Sequence, residues 1–152
     1  MMFLQGRRAE LAGSAVLLLA AFGLAALFLN QHLDHTFITY RAALNLRNGS
    51  GLSYNPGQAT APYGANPAYA IVLAAASIVS PDIPLLSNIL SAAATAIGAL
   101  LMFLMSLRTG TLEALYAGLI SLLIPVWRMM VGSEHSLWIA LFVGFLPFVL
   151  TQ

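Results

Sequence analysis

Asp34, with Arg41 two helical turns further on, is the pairing in this chain whose residue types could do chemistry. A carboxylate at a wet interface is ionised at neutral pH and can take the proton of a hydroxyl as that oxygen forms a new bond. A guanidinium offers a planar fork of donors that suits phosphate oxygens, so Arg41 or Arg47 could pair with a phosphate. A second acid, Glu134, stands far along the chain beside His135, and His35 follows Asp34 directly. The imidazoles of His35 and His135 could be imagined as a metal pair, but the sequence carries no ligand-spacing signature for one. Each acid also has a plainer reading. Asp34 stands just before a helix, where an acid accepts backbone N–H bonds as a cap, and both roles can hold together. Glu134 can be an interfacial acid in a short turn.

What surrounds these residues is apolar. The 152 residues are 60% hydrophobic and 7% charged, well beyond the habit of a domain that folds in water. The charged residues are Arg7, Arg8, Arg41, Arg47, Arg108 and Arg128 against Glu10, Asp34, Asp82, Glu113 and Glu134. A net charge of +1 gives no basic face able to neutralise several phosphates, which argues against nucleic acid as a partner. With no cysteine there is no disulfide framework, thiolate metal site or cysteine nucleophile.

The elements that must position the acids are therefore read as membrane helices. Leu11 to Leu29 carries no charge, and about 19 residues at 1.5 Å each approach the roughly 30 Å of a bilayer's hydrocarbon. Arg7 and Arg8 precede it, but no small-residue cleavage pattern follows, so it reads as an uncleaved anchor. Leu85–Leu107 is a second span, residues 112–131 a third, and residues 137–152 a fourth, barely long enough and broken by Pro147. Residues 67–79 fall short of a span and read as interfacial or re-entrant. The expected architecture is one all-α transmembrane domain over residues 1–152, with about four spans and interfacial helices near 34–47 and 67–79. If the 67–79 segment does not cross, Arg7, Arg8 and Arg108 lie together on the cytoplasmic side, with Asp34 and Glu134 on the outer side. If it crosses, Arg108 moves out and the two acids are separated. The first arrangement is preferred, with the N-terminus cytoplasmic and the 30–84 loop on the outer face of a bacterial inner or plasma membrane. Arg128, near Trp127 and Trp138, reads as an interface anchor.

The 30–84 loop is long for a compact helical protein, which points to function. Its first part reads as a short amphipathic helix, with Leu33, Phe37, Tyr40 and Leu44 on one stripe able to lie on the bilayer surface. Asp34, Ile38, Arg41 and Asn45 fall on an adjacent stripe, and Asn48-Gly49 supplies the stop. Gly51 to Gly57 and Ala61 to Pro67 then read as non-helical pieces. Asn48-Gly49-Ser50 fits the N-glycosylation pattern, a motif short enough to recur by chance.

The string Asp34-His35-Thr36-Phe37-Ile38-Thr39-Tyr40-Arg41, then Asn45-Leu46, Gly49, Gly51-Leu52, Tyr54-Asn55-Pro56-Gly57, Tyr63 and Asn66-Pro67, resembles the first periplasmic loop of bacterial GT-C glycosyltransferases. The arabinofuranosyltransferase and mannosyltransferase-like members are the group it looks most like. A second block, Gly132 to Leu137, resembles that group's Gly-Leu-Glu-Thr-x-Leu. The resemblance implies a partial GT-C-like fold and transfer of a sugar from a polyprenyl-phosphate donor to an acceptor hydroxyl on the outer face, with Asp34 as general base. It implies substrate contacts for Arg41, Glu134 and His35, and a lipid-linked sugar donor in place of a cofactor. His35 replaces the second acid of the group's Asp-Asp pair, so a divalent cation would lose one of the two adjacent carboxylates that could hold it. Such enzymes run to several hundred residues, so the chain reads as an N-terminal portion or a truncated relative. The alternative is a non-catalytic transmembrane accessory subunit whose helices pack onto a larger membrane complex; membrane lipids are expected partners in both readings.

Overall fold

The computed structural model describes residues 2–28, 34, 36–57, 66–108, 110–123 and 133–150. Within them the chain is all-helical: α1 (Met2–Phe28), α2 (Thr36–Arg47), α3 (Pro67–Ala76), α4 (Ile83–Ser106), α5 (Thr111–Leu123) and α6 (His135–Leu150). Two helices are long and apolar enough to cross a membrane, Arg8–Leu27 within α1 and Ile83–Ser106, while the apolar stretches of α3, α5 and α6 are shorter.

Helix α4 is the central element. It packs on α5 and α6, receives α1 along its second half, and meets α2 and α3 near its start. Its ends follow from local chemistry. Asp82 caps it by accepting the Leu85 amide at 3.0 Å, and Pro84 occupies the first turn, where a missing N–H costs nothing. Asn66 caps α3 in the same way, accepting the Tyr69 amide at 3.1 Å ahead of Pro67. Pro147 does not break α6, which continues as helix to Leu150.

Two cores form. Leu17, Ala21, Ala99, Phe103, Ala114 and Leu122 join α1, α4 and α5. Tyr40, Ala42, Ala43, Tyr69, Ala70, Leu73, Ala74 and Ile83 join α2, α3 and the start of α4, with Leu137 of α6 packed against them.

The buried face of α2 differs from the expected stripe. Thr36, Thr39, Tyr40, Ala42, Ala43 and Asn45 are buried, whereas Phe37 and Leu44 are exposed. Alanines and threonines allow the α3 backbone to come close, so that small-residue face turns inward with Tyr40 beside it, and Phe37 and Leu44 are left outside. Leu33 lies outside the described residues.

Candidate functional site

The candidate site starts at the turn entering α2, where the Phe37 amide donates to the Asp34 carbonyl at 3.2 Å. Asp34 is exposed there. The far end of α2 closes as a Schellman motif. The Ser50 amide returns to the Asn45 carbonyl at 2.9 Å and the Gly49 amide to Leu46 at 3.1 Å, with Gly49 at φ 78°. That left-handed residue is why a glycine follows Asn48.

The motif turns the chain back along α2. Asn45, buried, donates through Nδ2 to the carbonyls of Ser53 at 2.8 Å and Tyr54 at 2.9 Å. Arg41 Nε donates to the same Tyr54 carbonyl at 3.4 Å, and its guanidinium carbon lies 5.7 Å from the centre of the Tyr54 ring. The arginine is therefore exposed yet held, with one edge engaged and a ring beneath it. Asn45 leaves the outer stripe expected for it because a buried amide requires partners, and the returning loop supplies two carbonyls.

A second set of polar contacts joins α3, α4 and the turn before α6. The Asn66 amide donates to Thr39 Oγ1 at 3.4 Å, linking α3 to α2. Tyr69 hydroxyl lies 2.8 Å from Ser87 Oγ, with the Ser87 carbonyl at 3.4 Å. One turn on, Ser91 Oγ donates to the Ser133 carbonyl at 3.0 Å, and Ser133 Oγ lies 3.2 Å from His135 Nδ1. Burial pushes the Tyr69 hydroxyl above its ordinary pKa; hydrogen bonds with Ser87 and Ser91 pull it back, and nearby Tyr40 and Glu134 push it up further.

The two motif blocks meet through this set. The turn before α6 meets α4 through the bond from Ser91 to the Ser133 carbonyl, and Leu137 packs on the α2–α3 core. Asp34 sits at the near end of α2, about one to two turns before Tyr40, the α2 residue that Tyr69 senses. His35, His32 and Arg128 lie outside the described residues. Among the described residues, no group of three acids or histidines is arranged to hold a metal ion.

Sequence reading passed over Tyr69, Ser87, Asn88 and Ser91, all buried. Serines on a long apolar helix also serve simply as small residues that allow close packing. The signal available was their spacing, since Ser87 and Ser91 stand four apart on one face of an otherwise apolar helix. Comparison with protein-family models, curated proteins and solved structures finds no match for this chain.

Proposed function

We propose that these residues form the first outer loop and adjoining spans of a GT-C-type membrane glycosyltransferase, which moves a sugar from a polyprenyl-phosphate donor to an acceptor hydroxyl. In this reading α1, α4, α6 and the 112–131 stretch that α5 opens cross the bilayer, and α2 and α3 lie along its outer rim. The observation that carries it is the setting of Asp34: an exposed carboxylate opening a helix whose outward residues, Phe37 and Leu44, are apolar and uncovered. Ile71, Val72, Ile78 and Val79 on and just after α3 are likewise exposed, four residues before the long apolar helix α4 begins. A carboxylate beside surfaces of that kind stands where a lipid-borne donor and a water-borne acceptor can meet.

Asp34 takes the proton from the acceptor hydroxyl. The freed oxygen pair bonds to the anomeric carbon, and the bond from that carbon to the phosphate oxygen breaks with its electrons, releasing polyprenyl phosphate. Asp34 then returns its proton to water. Arg41 offsets the charge gained by the leaving phosphate, and Glu134 and His35 contact substrate. Asp34→Asn in the full-length membrane protein tests this. Transfer from a radiolabelled polyprenyl-phosphate sugar should fall by about 10² to 10⁴, the ordinary contribution of a general base. Unchanged transfer ends the assignment. These 152 residues contain no cysteine, so single cysteines placed at 34 and 108 within them can be labelled from outside intact cells, where only the first should react.

A further inference from the structure

Arg41 is exposed, but two contacts fix where its fork points. Nε is engaged with the Tyr54 carbonyl and the guanidinium lies over the Tyr54 ring. The carbonyl is itself anchored from the buried side. Asn45, one turn beyond Arg41 and 6% exposed, divides its amide between that oxygen and the preceding one at 2.9 and 2.8 Å. Two bonds to successive carbonyls fix the register of the returning loop against α2. The position of Tyr54, and through it the orientation of Arg41, is therefore set by a residue that no ligand would touch.

A guanidinium carries five N–H donors, and spending Nε on Tyr54 leaves the two terminal nitrogens, the edge that grips two oxygens of one phosphate. A long side chain normally loses rotamer freedom when it binds an anion; one already held loses less, so affinity rises without a new contact. We infer that Asn45 and Tyr54 are positioning residues for a phosphate subsite at Arg41, and that its ligand is a phosphate carried on a membrane lipid. The inference rests on the proposed function in taking that lipid to be the polyprenyl-phosphate donor.

Binding of sugar-free polyprenyl phosphate to the full-length protein in nanodiscs separates the two claims. Asn45→Leu should weaken binding about tenfold, the scale of losing a charge-orienting hydrogen bond. Tyr54→Leu should weaken it about threefold through loss of the ring contact, while Tyr54→Phe, which keeps ring and carbonyl, stays within about twofold of the parent. Asn45→Leu added to Arg41→Ala should cost nothing more, because a residue acting through Arg41 has nothing left to position. In transfer assays Asn45→Leu and Tyr54→Leu should raise KM and lower kcat together, because Arg41 both binds the phosphate and offsets the charge it gains on leaving, while Tyr54→Phe should change neither by more than about twofold.

Unchanged binding in both Asn45→Leu and Tyr54→Leu overturns the inference, as does an additive loss in the double variant. Should Asn45→Leu fail to accumulate, Tyr54→Leu against Tyr54→Phe decides alone. Binding that depends on Arg41, Asn45 and Tyr54 without any sugar transfer upholds the subsite and overturns the catalytic reading. Phosphatidic acid is the second probe: preferred over polyprenyl phosphate in the same discs, it upholds the subsite and overturns the donor assignment.

Discussion

Around Leu17, Ala99 and Phe103 the helices meet through apolar side chains and bare glycine surfaces, whereas around Tyr69, Ser87 and Ser91 they meet through hydrogen bonds. The first region brings backbones close by omission. A Cβ added to Gly13 would come within 2.6 Å of the Phe103 ring, and one on Gly118 within 2.7 Å of Leu17 and 3.3 Å of the Ala99 carbonyl. Lipid tails are as apolar as leucine, so in a bilayer such contacts hold by shape, with no hydrophobic gain to spare. The second region tolerates Tyr69, Ser87 and Ser91 because each of these is given a partner, and the polar contacts there tie together α2, α3, α4 and the turn before α6. Shape suits a scaffold that must not move; directed bonds suit a region that must hold particular side chains at particular angles.

The largest effect should come from violating shape. Gly118→Leu drives a whole side chain into Leu17 and the Ala99 carbonyl, and should cost about 3 kcal/mol or prevent assembly, read as loss of the folded fraction in detergent titration. Gly13→Ala is milder, about 1 to 3 kcal/mol, and it carries its own control. Paired with Phe103→Leu, which withdraws the obstructing ring, it should recover a good part of that loss; a purely additive pair would show that the glycine serves some other end. In the polar region, Ser91→Ala should cost only about 1 kcal/mol, the usual net value of one hydrogen bond. Its sharper readout is local, since amide exchange should quicken near Ser133 before it does near Leu17.

The smallest and most specific effect concerns pH. A tyrosine whose folded pKa lies above its unfolded value of about 10 favours the folded state fully below that value, and the contribution disappears as pH rises through the folded pKa. Melting temperature should therefore drop above about pH 10, and Tyr69→Phe should flatten that drop. Equal slopes in parent and variant would mean that Tyr69 is not the buried group responsible.

Much of this arrangement is written in local sequence. Uncharged runs near 11–29 and 85–107 specify long helices because a backbone in an apolar setting must satisfy its own hydrogen bonds. Asn66-Pro67 and Asp82 with Pro84 mark helix starts, and Asn48-Gly49 marks a stop, since caps and left-handed glycines act within a few residues. The all-helical class, the short helix after Asp34 and the one opening at Pro67 were legible for this reason.

What lay beyond sequence was the choice of face and of partner. Periodicity put Tyr40 with Phe37 and Leu44, and Asn45 with Asp34 and Arg41; the packed chain buries Tyr40 and Asn45 and leaves the others outside. That choice depends on which surface α3 presents and where the loop after Gly49 returns, and neither is a property of α2. Residue types and spacing alone determined a helical, membrane-compatible chain with an acid opening its loop helix, because helix formation and capping are local. Tertiary structure decided that Asn45 holds Tyr54 and that Ser91 meets Ser133, because each needs segments apart in sequence to arrive together.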